Sequence, residues 1–306
     1  MADLGTRIGG LALRNPFLLA SGIWGESGES LAGAWDAGAG GVITKSIGSV
    51  PRLGYPNPTV ETFDEWGLLN AMGLPNPGID EYPKEIDVAR ARGATVIGSV
   101  FGGTPEEFAT LARRIGETGV AAIELNLSCP HAEGYGTEVG SDPRDVEAIV
   151  RAVVREVHVP VIAKLTPNTP DPGALAVAAE RAGAGAISAI NTVRGLALDT
   201  TLRRPVLAHG LGGLSGPAIK PVGLACVWQI YERVRIPVIG VGGISTPEDA
   251  LEYLMAGACA VEIGTAVTQQ GIAVFGRLAE GLARRLDALG LASVTAAVGA
   301  AHASPR

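Results

Sequence analysis

Short apolar runs alternate with longer segments of helical period about eight times along this chain, and glycine, proline or aspartate marks each change of period. Strict strand–helix alternation calls for a parallel sheet, and eight units without a gap favour closure into a barrel over an open doubly wound sheet. The strands read as residues 16–20, 41–44, 94–98, 121–125, 160–163, 186–190, 236–241 and 260–263. Helices are predicted near 30–37, 81–92, 104–118, 143–157, 172–182, 219–234, 246–255 and 271–289. Thr104-Pro105-Glu106-Glu107 shows how such a helix is started, with a capping hydroxyl, a proline in the first turn and acids at the positive end of the dipole. Two long excursions, 47–78 and 193–216, interrupt the alternation, and loops of that length in compact domains are usually functional. The first is apolar enough to be ordered; the Ala-rich tail after 289 is expected to fray. Residues 1–306 thus read as one α/β domain, a (β/α)8 TIM barrel with long inserted loops at its C-terminal face.

Composition narrows the function. With 47% hydrophobic residues, 18% charged residues and a net charge of -7, the chain has an ample core and no basic surface for nucleic acid. Met1-Ala2-Asp3-Leu4-Gly5-Thr6-Arg7 lacks a signal pattern, and no apolar run reaches the roughly 18 residues of a membrane span, so a cytoplasmic protein without a membrane partner is expected. The cysteines, Cys129, Cys226 and Cys259, are too few and scattered for a disulfide framework or a metal cluster, so any iron–sulfur centre would belong to another chain. No metal-ligand spacing occurs.

A barrel gathers its strand C-termini on one face, and here they carry Ser21, Lys45, Ser46, Ser99, Asn126, Cys129, Lys164, Asn191, Gly242, Gly243, Gly264 and Thr265. So many polar ends suggest one site. Gly242-Gly243 and Gly264-Thr265 follow strands seven and eight, where backbone amides commonly take phosphate, although glycines there also simply turn the chain. Lys45 and Lys164 would point into a crowded pocket, which implies an anionic or electron-rich ligand or, alternatively, an ion pair with a carboxylate such as Glu124. Asn70, Asn126 and Asn191 bring the mixed donors and acceptors that read the edge of a planar heterocycle. Cys129 is the one strong base or nucleophile candidate, unless it is a small buried hydrophobe as most free cysteines are. The loop 131–141, with Gly134, Gly136 and Gly140, has the composition of a mobile flap.

Read in order, these pieces resemble the class 1 dihydroorotate dehydrogenases, flavin enzymes. The resemblance rests on Leu19-Ala20-Ser21-Gly22, Thr44-Lys45-Ser46-Ile47-Gly48, Leu69-Asn70-Ala71-Met72-Gly73-Leu74, Glu124-Leu125-Asn126-Leu127-Ser128-Cys129-Pro130, Ala163-Lys164-Leu165-Thr166-Pro167-Asn168, the stretch from Gly212 to Pro221, and Val241-Gly242-Gly243. The wording around Leu69–Leu74 and Gly213–Pro221 is most similar to subfamily B, whose FMN-carrying catalytic subunit works with a subunit holding FAD and an iron–sulfur cluster. Cysteine rather than serine at position 129 separates the chain from class 2. The resemblance implies oxidation of dihydroorotate to orotate in pyrimidine biosynthesis, with electrons passing to NAD through that partner, and a homodimer as the core assembly.

Carried over residue by residue, it implies that FMN is held by Ser21, Lys45, Ser46, Asn126, Lys164, Ile190, Gly216, Gly242, Gly243, Gly264 and Thr265, with a lesser contact from Ser99. The pyrimidine would be held by Lys45, Asn70, Ala71, Met72, Gly73, Leu74, Asn126, Asn191 and Thr192. Cys129 would take a proton from ring carbon C5 while hydride leaves C6, and Lys164 would meet the negative charge that develops on the flavin. The family often has asparagine where His131 stands, so no substrate contact is assigned to His131. Pyrimidine-base reductases such as dihydropyrimidine dehydrogenase share the Asn-Leu-Ser-Cys-Pro-His wording and are the nearest alternative. A flavin-binding docking barrel without catalysis and a flavin-free phosphate-binding barrel are the more distant ones.

Overall fold

The computed structural model describes residues 1–127 and 140–302. Eight parallel strands form a closed barrel: β1 (Phe17–Leu19), β2 (Gly41–Ile43), β3 (Val96–Val100), β4 (Ala122–Asn126), β5 (Val161–Leu165), β6 (Ala186–Ala189), β7 (Val238–Val241) and β8 (Ala258–Ile263). Each pairs with the next in sequence, and β8 closes on β1. The predicted fold class therefore holds.

The outer ring contains α1 (Gly28–Asp36), α2 (Pro83–Ala91), α3 (Pro105–Gly116), α4 (Pro143–Val154), α5 (Pro172–Arg181), α6 (Lys220–Tyr231) and α7 (Pro247–Met255). Helices α3, α4, α5 and α7 start on Thr104, Asp142, Asp171 and Thr246, whose side chains accept from early backbone N–H groups, and each has proline in the first turn. Proline costs nothing there because that N–H would be unpaired anyway. Helix α3 buries Phe108, Leu111, Ala112 and Ile115, spacings of three and four that put one apolar stripe against the strands. Each fully buried side chain of this kind contributes about 1.5–3 kcal/mol.

Inside the barrel, Leu18, Ile43, Ile97, Ile162 and Ile239 form an apolar layer. An antiparallel hairpin, Thr6–Ile8 with Leu11–Leu13, closes the layer from below by inserting Ile8 and Leu13. One step of two residues along the strands reaches the next inward layer, because side chains alternate across a strand. That layer is polar and buried: Lys45, Ser99, Glu124, Lys164, Ser188 and Glu262.

The two long excursions meet above the barrel in a four-stranded antiparallel sheet ordered Val60–Phe63, Gly67–Asn70, Gly212–Ser215, Val193–Gly195. They crowd together at Gly67, whose φ of 144° and missing side chain admit the Ser215 carbonyl; a Cβ there would stand 1.9 Å from that oxygen. Gly67→Ala is expected to destabilise the protein by about 1–3 kcal/mol from overpacking alone. Denaturant midpoints check this; an unchanged midpoint would show that the sheet edge shifts freely.

The C-terminal region departs from expectation. A short helix, α8 (Thr265–Gln270), precedes α9 (Val274–Ala288), where one helical region beginning near 271 was predicted. The tail does not fray up to residue 302. Ser293 caps α10 (Val294–Ala297), Val294 N–H donates to the Asp3 carbonyl at 2.9 Å, and Val294 and Ala297 are fully buried. His302 stacks on Trp228 at 3.5 Å between ring centroids. Helix propensity of an alanine run is a local quantity; the docking that orders this segment is tertiary.

Candidate functional site

The polar layer is the floor of a cavity of about 430 Å³ between the barrel mouth and the antiparallel sheet. Strand ends supply its walls. Ser21 follows β1, and Lys45 and Ser46 follow β2; Asn126 ends β4, and Lys164 stands in β5. Ile190, Asn191 and Thr192 follow β6, Gly242 and Gly243 follow β7, and Gly264 and Thr265 follow β8. The sheet above adds Asn70, with Ala71, Met72, Gly73, Leu74 and Gly216 beside it. Residues as far apart in sequence as Ser21 and Thr265 thus share one lining, as barrel closure predicted. Ser99 does not reach the cavity wall; it is fully buried behind Ser46, with the two hydroxyls 2.9 Å apart. Cys129 and His131 lie outside the described residues, as does most of the 131–141 loop.

The walls are held by short polar links. Ser21 Oγ and Ser46 Oγ are 3.1 Å apart, Asn126 Nδ2 donates to Ser46 Oγ at 3.1 Å, and Asn191 Nδ2 donates to Asn126 Oδ1 at 3.5 Å. Asn70 shares the cavity but its Nδ2 donates to the Gly213 carbonyl at 3.1 Å, tying the two excursions together. Asn168 Nδ2 donates to the Thr192 carbonyl at 3.3 Å and its Oδ1 accepts from Arg194 N–H at 2.9 Å, which fixes the chain after β6. The Tyr253 hydroxyl, from α7, donates to the Gly242 carbonyl at 2.7 Å and so supports the turn after β7 from behind.

Neither lysine is unpaired, so an ammonium without a partner cannot be the argument for an anionic ligand. Lys45 Nζ donates to Glu26 Oε1 at 2.6 Å; Lys45 is buried whereas the Glu26 side chain is 70% exposed. A pair with so exposed a partner is worth only about 0–1 kcal/mol, so a ligand carboxylate can displace Glu26 at little cost. Lys164 donates to Glu262 Oε2 and stands 3.7 Å from Glu124 Oε2, and both acids are completely buried. Ser188 Oγ donates to Glu262 Oε1 at 2.6 Å, and Ser99 Oγ donates to Glu124 Oε1 at 3.3 Å. Burial first, and then the Glu262 carboxylate, push the Glu124 carboxyl up to about 8 despite Lys164. Burial also pulls the Lys164 ammonium down, but the two acids outweigh it and raise it above the ordinary lysine range.

Sequence reasoning assigned Glu262 nothing and gave Glu124 only a counterion role. Both carried a visible signal: an acid inside an apolar strand, Ala122-Ile123-Glu124-Leu125 and Ala260-Val261-Glu262-Ile263. Such an acid is buried, and a buried charge needs a partner.

Chemically, this cavity offers ammonium groups on two walls, amide donors and acceptors at its centre, hydroxyls, and a glycine-rich end after β7 and β8. A planar ligand with an N–H and C=O edge and an anionic tail fits that donor set.

The family model described as dihydroorotate dehydrogenase matches residues 3–286. Several curated proteins called dihydroorotate dehydrogenase B (NAD(+)), catalytic subunit, are similar over nearly the whole chain. The protein from Pyrococcus abyssi is 50% identical across 95% of this chain and 97% of its own length. That from Thermococcus kodakarensis is 50% identical across 98% and 99%, and that from Methanocella arvoryzae is 50% identical across 91% of each.

Proposed function

The chain belongs to the dihydroorotate dehydrogenase family, and on that premise we propose that it oxidises dihydroorotate to orotate as the FMN-carrying catalytic subunit of a B-type enzyme. The observation that carries this reading is the gathering of both lysines and all three asparagines around one cavity under the antiparallel sheet. FMN supplies the two-electron acceptor when bound. Lys164 and Lys45, the Ser21 and Ser46 hydroxyls, Asn126 and Ile190 would hold its ring system. Gly216, Gly242, Gly243, Gly264 and Thr265 would hold its phosphate end, where close backbone approach requires small residues. Ser99 supports that wall through Ser46.

Dihydroorotate is a planar-edged carboxylate. Lys45 would exchange Glu26 for the substrate carboxylate, and Asn70, Asn126 and Asn191 would read the ring amides, with Thr192 and the 71–74 segment closing the remaining sides. Positioning of this kind puts C5 and C6 in register with base and acceptor. Cys129 follows the wall residue Asn126 by three positions and is the proton acceptor in this proposal. A thiolate serves that step when its proton affinity sits near ambient pH.

The catalytic-subunit naming of the relatives supports an electron-transfer partner, in this reading a subunit carrying FAD and an iron–sulfur cluster, on a homodimeric core. Among the described residues no helix is long and apolar enough to cross a membrane; a cytoplasmic site of action belongs to this proposal. The test is anaerobic: the purified chain should be yellow and should bleach within one turnover on adding dihydroorotate but not dihydrouracil. Bleaching by dihydrouracil alone would transfer the case to the pyrimidine-base reductases; a colourless chain that cannot be reconstituted with FMN would end the flavin reading.

A further inference from the structure

At the floor of the cavity, one ammonium faces two buried carboxyl groups: Lys164 Nζ contacts Glu262, and Glu124 Oε2 stands 3.7 Å away with the Lys164 side chain 7% exposed and both acids at 0%. Two fixed negative charges against one positive charge, on top of an apolar layer, would leave a buried net charge, which is costly. The hydrogen bonds locate the problem. Glu262 is satisfied on both oxygens, by Lys164 and Ser188, and Glu124 Oε1 accepts from Ser99. Glu124 Oε2 has no donor at hydrogen-bond distance although it is completely buried. A proton on this oxygen removes both difficulties together, because the orphaned acceptor becomes a donor and Glu262 is the carboxylate beside it.

We propose that Glu124 is held as a neutral carboxylic acid donating to Glu262, so that the two acids share one negative charge opposite Lys164 and the cavity floor is neutral. This deepens the reading of Lys164 as the group that meets an electron-rich ring, and it rests on that reading only for its functional meaning. Negative charge developing above Lys164 then meets a balanced pair and a proton-bearing neighbour, not a second fixed anion. Glu124 and Glu262 are positioning residues: they act through Lys164.

Among the described residues, the charged groups facing Glu124 are Lys164 from β5 and Glu262 from β8; Lys45, paired with the exposed Glu26, stands further along the cavity wall. Strand β3 offers only the Ser99 hydroxyl, and β6 reaches the cluster only through Ser188 and Glu262. The upward push on the Glu124 carboxyl agrees with this arrangement.

The experiment is infrared difference spectroscopy on the full chain at neutral pH, comparing parent with Glu124→Gln and with Glu262→Gln. The parent is expected to show the carbonyl stretch of a protonated carboxyl group that is lost in Glu124→Gln. The same band should vanish in Glu262→Gln, because Glu124 then becomes the sole partner of Lys164 and gives up its proton. In the parent the band should fade as the pH rises through about 8. A parent without the band, or a band that survives in Glu262→Gln, would overturn the proposal. Should either variant fail to fold, the pH titration of the parent decides alone. No step requires flavin or substrate, so a negative result is separable from failure of the functional reading, which colour and bleaching report.

Discussion

Lys164→Ala is expected to give a colourless protein that is less stable by about 3–5 kcal/mol, the usual cost of removing one partner of a buried ion pair. The loss does not come from the lysine stem. It comes from Glu262, which is completely buried and is left with neutral donors, the Ser188 hydroxyl and on the proposal above the Glu124 carboxyl, once the ammonium is gone. Lys164 is the charge that opposes the upward push on the Glu124 carboxyl, so without it the buried acids hold a proton that the unfolded chain releases, and the variant's stability rises as pH falls. The deficit relative to the parent should be full at neutral pH and shrink toward the ordinary carboxylate range. Urea denaturation of parent and variant at pH 7 and near pH 5 measures both parts. A variant that keeps its flavin and the parent's midpoint would remove Lys164 from the centre of the site.

Cys129→Ser is expected to lower the rate of flavin bleaching by dihydroorotate by roughly 10²–10⁴-fold, the range of a lost general base. The visible spectrum and flavin content should not change. A serine hydroxyl has the size and reach of the thiol but holds its proton far too tightly to accept another at neutral pH. The separation of rate from flavin retention is the diagnostic, since Lys164→Ala should lose both. Stopped-flow reduction under anaerobic conditions reads the rate directly, and near-parental bleaching by the serine variant would exclude Cys129 as the base.

The barrel was legible because its signal is local and repeated: period changes, proline-marked helix starts such as Thr104-Pro105 and Thr246-Pro247, and buried strands written as apolar runs. The site was legible because closure forces strand ends together, so a list of polar residues at those ends is already a spatial statement. Features that depend on distant partners were not. The N-terminal hairpin has strands of three residues, too short for a period, and only Gly9-Gly10 marks its turn. Pairing of Leu69 with Leu214 joins residues that share no local pattern. The alanine-rich end looked like a fraying tail because its burial against α7 and Asp3 is invisible to propensity. Lys164 and Glu262, 98 residues apart, could have been matched from the sequence: a lysine and an acid in apolar strands at equivalent heights need each other.

The antiparallel sheet over the cavity also says what can be moved between relatives. Two strands from the first excursion lie beside two from the second, joined from Leu68–Ser215 to Asn70–Gly213. Each excursion has a two-stranded ladder of its own, Val60–Phe63 with Gly67–Asn70 and Val193–Gly195 with Gly212–Ser215, but the inner strands that carry the cavity-lining Asn70 and Ser215 are each completed on one edge by the other excursion. For engineering, the transferable part is therefore the pair. A graft of one excursion into another barrel brings a strand pair whose inner edge has lost its neighbour; a graft of both brings the joined sheet and its alignment with it, wherever the strand ends below are compatible.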